Sequence, residues 1–116
     1  GTDWIPNLRV SKLGGLLRTL AMIEAASARR LPLIIGAQVG ETSLLTRVAL
    51  VAARAAGEAL LAQEGGFGTL LLEEDVCEPP LMFGRGGSLR FEPAGPGWGL
   101  ACAPAIGWLD APTGRD

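Results

Sequence analysis

One short alternating run, at 7–11, and two short apolar runs, at 31–35 and 59–63, alternate with two stretches of helical repeat. No other feature constrains the fold of this chain as strongly. Runs this short, bounded by Gly or Pro, read as strands, because a helix needs a longer periodic stretch to bury a face. Between the first two, Leu13, Leu16, Leu17, Leu20 and Ile23 recur at helical spacing and predict an apolar stripe. Arg29 and Arg30 follow, where cations suit the negative end of a helix dipole. Between the second and third, Glu41-Thr42-Ser43 offers a helix start. Leu44, Val48, Val51, Ala52, Ala55 and Ala59 continue at helical spacing, with Gly57 ending the helix ahead of Ala59. Strand, helix, strand, helix, strand with short links predicts an α/β fold with a parallel sheet and right-handed crossovers.

Composition narrows the function. The chain has 116 residues, 48% of them hydrophobic, and a net charge of −2, so it reads as a folded domain and not a disordered tail. An acidic balance, scattered Arg and no Tyr predict no nucleic-acid partner. The sequence contains no His, which removes imidazole bases and His metal ligands. Cys77 and Cys102 have no metal-binding spacing and predict free thiols in a reducing, cytoplasmic setting. The most apolar stretch, 44–62, is broken by Arg47, Arg54 and Glu58, which predicts a packed helix and strand and no membrane span. The chain opens Gly-Thr-Asp with no leader pattern. The missing Met predicts that this is not the natural start of a gene product.

In parallel α/β sheets, chemistry gathers at the carboxyl ends of strands. Lys12 follows the first run, Glu41 lies just past the second, and Glu64 ends the third. Lys12 is the sole Lys beside nine Arg, and a Lys can give up its proton on desolvation where Arg cannot. Glu41 fits a helix-start acid equally well. An acid ending an apolar strand, as at Glu64, is not explained by strand propensity. Glu73, Glu74 and Asp75 read as a solvated surface run before they read as a metal cluster. Gly14-Gly15 matches neither dinucleotide nor phosphate-loop patterns.

These pieces also form a longer pattern. Asn7-Leu-Arg-Val-Ser-Lys12-Leu-Gly-Gly15, then Gly36-Ala-Gln-Val-Gly-Glu41-Thr-Ser43, then Glu64, Phe67-Gly68 and Leu70-Leu-Leu72, then Glu78-Pro and Pro96-Gly-Trp-Gly99, follow in order. From about residue 4 to about residue 102 the chain resembles the C-terminal part of the mandelate racemase/muconate lactonizing enzyme group of the enolase superfamily.

The resemblance implies a partial (β/α)8 TIM barrel, with the strands above as its sixth, seventh and eighth. Residues 1–76 would form the barrel segment and 77–116 a turn-rich tail returning toward a capping domain. It implies a fragment of an isomerase or lyase that abstracts the proton α to a carboxylate with Mg2+ assistance, as racemase, epimerase, cycloisomerase or dehydratase. Lys12 matches the sixth-strand Lys of the muconate lactonizing branch; the Lys and the lack of His depart from the mandelate racemase branch. Glu64 matches the eighth-strand acid that hydrogen-bonds or protonates the substrate carboxylate or enolate, and Glu41 the seventh-strand Glu. The family's metal-ligating carboxylates lie on earlier strands, so the resemblance gives this chain no metal ligand. A whole barrel takes ~250 residues. The chain alone is therefore expected to be inactive and to form homo-oligomers, with a small carboxylate as substrate of the parent enzyme. The rival expectation is a free-standing, non-catalytic α/β module for binding or assembly.

Overall fold

The computed structural model describes residues 4–66 and 68–89. Strand β1, Asn7–Arg9, runs into a single helical turn, α1, Val10–Leu13, and then α2, Leu16–Ala28. Strand β2, Leu33–Gly36, is followed by α3, Ser43–Ala56, and strand β3, Leu60–Gln63. A short helix, α4, Gly68–Leu71, follows β3. The three strands form one parallel sheet in the order β1-β2-β3. This is the expected α/β alternation. The turn-rich tail is described only as far as residue 89, and the Pro96–Gly99 motif and Cys102 lie outside the described residues.

Both long helices cover the same side of the sheet. Leu33 and Ile35 of β2 are fully buried, in one cluster with Leu8, Val10, Ile23 and Ala26 and with Ala49, Ala52, Ala53 and Ala56 of α3. Strand alternation places Asn7, Arg9, Ile34 and Gly36 on the opposite face. Gly36 has Asn7 and Arg9 side chains directly over its Cα, which confirms that these residues share that face. The register slips between Leu33/Ile34, where β2 changes from pairing Leu60 to pairing Ala62. That extra residue returns Ala62, and with it Glu64, to the helix-free face.

The helix faces differ from the expected stripes. In α2 the buried positions are Thr19, Ile23 and Ala26, and Leu17 is 83% exposed. Leu17 lies about 100° around the helix from Leu16, so it leaves the core when Leu16 and Leu20 enter it. Thr19 takes the core position because its hydroxyl donates to the Gly15 carbonyl at 2.8 Å and so arrives already hydrogen-bonded. In α3 the buried face is Ser43, Thr46, Ala49, Ala52, Ala53 and Ala56, while Leu44 is 47% exposed. Small side chains let α3 sit close on the sheet. The expected stripe followed the larger residues and is rotated from the true one.

Two strand boundaries also move. The first strand was expected to reach Ser11, but the chain turns helical at Val10 and the turn closes at Gly14, with φ of 81°. The third was expected to start at Ala59, which instead ends a 3-10 turn, Gly57–Ala59.

Among the described residues, β1 and β3 each pair on one side only. An apolar groove lined by Pro6, Leu8, Met22, Ala25 and Leu31 runs beside β1, and Leu61 on β3 is 57% exposed. Open parallel edges with apolar flanks template association. The isolated chain is therefore expected to sediment well above its 12.0 kDa monomer mass. Met22→Lys with Leu61→Lys is expected to shift the distribution toward monomer. A wild-type monomer by analytical ultracentrifugation, with one cooperative thermal transition, would contradict this.

Candidate functional site

The carboxyl ends of the strands gather the polar groups of the helix-free face. Glu64 immediately follows β3, and its backbone N–H donates to the Ile35 carbonyl at 2.8 Å, which locks its position beside the end of β2. Its Oε2 accepts from the Ala37 backbone N–H at 3.1 Å, and its Oε1 from Asn7 Nδ2 at 3.3 Å. One carboxylate thus ties together three consecutive strands. Asn7 reaches it by crossing the face of Gly36, where an added Cβ would fall far inside van der Waals distance of Asn7 Oδ1.

Glu41 lies in the loop between β2 and α3. Its Oε1 accepts from Ser11 Oγ at 3.0 Å. Ser11 is the residue before Lys12, so the β2–α3 loop is fastened to the turn that carries the lysine. Lys12 is exposed, and among the described residues it makes no hydrogen bond or ion pair. It stands on α1 and not at a strand end, because the chain leaves extended geometry at Val10. The structure therefore places Lys12, Glu41 and Glu64 past the ends of neighbouring strands but joins Glu41 and Glu64 to Ser11 and Asn7, not to Lys12. Arg9, on the same face, has a buried Nε with no partner among the described residues.

The β2–α3 loop is held from a second direction. Ser43, fully buried, opens α3, and its backbone N–H donates to Asp75 Oδ2 at 2.9 Å. Its hydroxyl donates to the same oxygen at 2.8 Å and accepts from the Leu81 N–H at 2.7 Å. Asp75 Oδ1 also accepts from the Cys77 N–H at 3.0 Å. A distant acid thus caps α3, and the adjacent Thr42 does not. This overturns the reading of Asp75 as part of a solvated run; Glu73 and Glu74 are exposed as expected. Behind the loop, Gly68 lies directly against the Glu41 backbone, where a side chain of any size would meet the Glu41 carbonyl.

Mg2+ needs several oxygen ligands in near-octahedral geometry. No three His, Cys, Asp or Glu side chains stand together among the described residues, and Asp75 spends its oxygens on Ser43 and Cys77. The described residues do not fit a magnesium site. No helix among the described residues is long and apolar enough to cross a membrane.

Comparison of the chain with family models, with curated proteins and with solved structures gives no match. The class defined by the fold and site is thus an α/β chain with a short parallel sheet, helices on one face, and a polar cluster at the strand ends.

Asn7, Ser11 and Gly36 are the members of this cluster that single-residue reasoning missed. The available signal was a polar residue at each position of β1 that faces away from Leu8 and Val10, opposite a Gly at the end of an apolar strand.

Removing the Ser43 hydroxyl leaves the Leu81 amide without that acceptor, a loss of about 1–3 kcal/mol for a buried group. Ser43→Ala is expected to speed hydrogen exchange at the Leu81 amide by roughly 5- to 150-fold on that scale. Unchanged exchange would show that the 75–81 segment is held by other contacts.

Proposed function

We propose that this chain is the carboxyl-terminal barrel segment of an enolase-superfamily isomerase or lyase, closest to the muconate lactonizing branch. The parent enzyme removes a proton α to the carboxylate of a small substrate in a Mg2+-dependent reaction, with metal ligands supplied from outside this chain. One observation carries the reading. Three consecutive parallel strands have their helices on one face only, and their free face carries Arg9 at the carboxyl end of β1 and Glu64 just past β3, with Asn7 reaching Glu64 from the start of β1. A barrel built of such units turns that face inward and places catalysis at that end.

In this reading Lys12 is an acid/base. The α-hydrogen of a carboxylate is weakly acidic, so the group that takes it must be neutral when it does so and correctly placed. A lysine can meet both conditions and an arginine only the second. Glu64, with both oxygens oriented by donors, faces the charge that develops on the substrate. Glu41 holds Ser11, and through it the turn that carries Lys12.

The test joins this chain to the coding sequence that precedes it and assays the complete protein. The probes are a panel of 2-hydroxy acids and N-acylamino acids in deuterated buffer with Mg2+, read by loss of the α-proton signal in 1H NMR. At least one probe is expected to exchange. Lys12→Arg is expected to fold and to lose exchange on one face by roughly 10²-fold or more. Absence of exchange across the panel, or no upstream carboxylates ending three successive strands, would overturn the reading. Wild-type exchange on both faces in Lys12→Arg would remove Lys12 from the mechanism.

The exposed Met22, on α2 in the groove beside β1, and Leu61, on the edge strand β3, favour one alternative, a non-catalytic module that assembles through its open sheet edges. An upstream start codon with no barrel-like sequence before it would select that alternative.

A further inference from the structure

We infer that Asn7 is a positioning residue for Glu64, and that Gly36 is glycine so that Asn7 can reach it. The inference rests on the functional reading above, because it gives Glu64 a task that requires a set orientation.

Three observations bear on it. Asn7 sits in β1 and Glu64 follows β3, so they are separated by the whole width of β2, yet their side chains are within hydrogen-bond distance at 3.3 Å. Such a link needs a gap in the intervening strand. Gly36 pairs with Arg9, two positions further along the sheet than the Asn7–Ile34 pair and on the same face, and supplies the gap. A methyl group there would occupy the space of the Asn7 carboxamide and also press on the Arg9 stem.

The second donor to Glu64 is fixed. The Ala37 N–H belongs to the backbone that leaves β2, so it defines one oxygen of the carboxylate but leaves the group free to rotate about that contact. Asn7 engages the other oxygen and removes that freedom. Two donors on two different oxygens set the plane of a carboxylate, whereas one donor sets only a direction. The lone pairs not used by Asn7 and Ala37 are then presented in a defined direction past the strand ends. Asn7 itself touches no reacting atom in this scheme and acts through Glu64.

The bridge should behave as a unit. Removing Asn7 and blocking its path at Gly36 have the same consequence for Glu64, so the two changes should not add. Misplacing a group by about an ångström costs on the order of 10²-fold in rate. A loss of orientation appears in kcat, since the substrate still binds, and leaves KM nearly unchanged.

The experiment compares Asn7→Ala, Gly36→Ala, the double variant and Glu64→Ala in the complete enzyme, using the panel member with the fastest α-proton exchange. The expected result is a fall in kcat of roughly 10- to 10²-fold for each single variant at near-constant KM. The double variant is expected to fall no further, and Asn7→Gln to recover part of the loss. Additive losses, or wild-type kcat in Asn7→Ala where Glu64→Ala is impaired, would overturn the inference and leave the functional reading standing. Wild-type exchange in Glu64→Ala would instead defeat the role given to Glu64 by that reading. A second arm needs neither turnover nor altered core residues. In 1H–15N spectra of the chain, the Asn7 side-chain amide pair is expected to shift on Glu64→Ala and not on Glu41→Gln. An unmoved pair overturns the bridge whatever the kinetics, and so does an equal shift in both variants.

Discussion

Everything in this fold depends on burying one face of β2. Leu33 and Ile35 are fully enclosed, and they are enclosed by helices that reach them from one side only. Two right-handed crossovers between neighbouring strands leave no other choice, since each returns its helix to the same face. The alanine face of α3 makes the approach close, because Ala49, Ala52, Ala53 and Ala56 add little bulk between helix axis and sheet. The opposite face carries no long helix among the described residues, and it is where Asn7, Arg9 and Glu64 stand.

That division explains the character of the strand ends. Asn7, Arg9 and Glu64 are not exceptions in an apolar sheet; they stand at the positions that alternation and the register slip at Leu33/Ile34 assign to the open side. The slip matters most for Glu64. Without the extra residue in β3, the acid would emerge among the helices, where its charge would need a buried partner. Hydrogen bonds within the cluster then set geometry: each is modest in net energy, but together they link strands that are otherwise joined only by backbone ladders.

The alternation of strands and helices was legible in the sequence because the three runs are too short for helices and are flanked by Gly or Pro, whereas the stretches between them repeat at helical spacing. The order, the parallel pairing and the placement of Glu64 after β3 followed from that. The faces of α2 and α3 were less legible. Counting large apolar residues favours Leu17 and Leu44, whereas packing against a sheet selects Thr19, Ser43, Thr46 and the alanines. A buried hydroxyl enters the core only through a hydrogen bond that sequence spacing does not announce, as with Thr19 on the Gly15 carbonyl. The same limit hid the role of Asp75. The position of Lys12 was anticipated to within a few residues, but not the helical turn that carries it. Asn7, Ser11 and Gly36 entered the site through contacts across strands, which no local pattern encodes.

The cap on α3 has a consequence for the order in which the chain matures. Ser43 begins the helix, but the carboxylate that satisfies its N–H belongs to Asp75, 32 residues later in the chain. During vectorial synthesis α3 must emerge with its amino end open, hydrated and frayed, and so must the loop that carries Glu41. The strands and the alanine face can dock before residue 75 exists; the first turn of α3 cannot settle until it does. The Asn7–Glu64 link needs nothing beyond residue 64, so the strand ends can join before the start of α3 is capped.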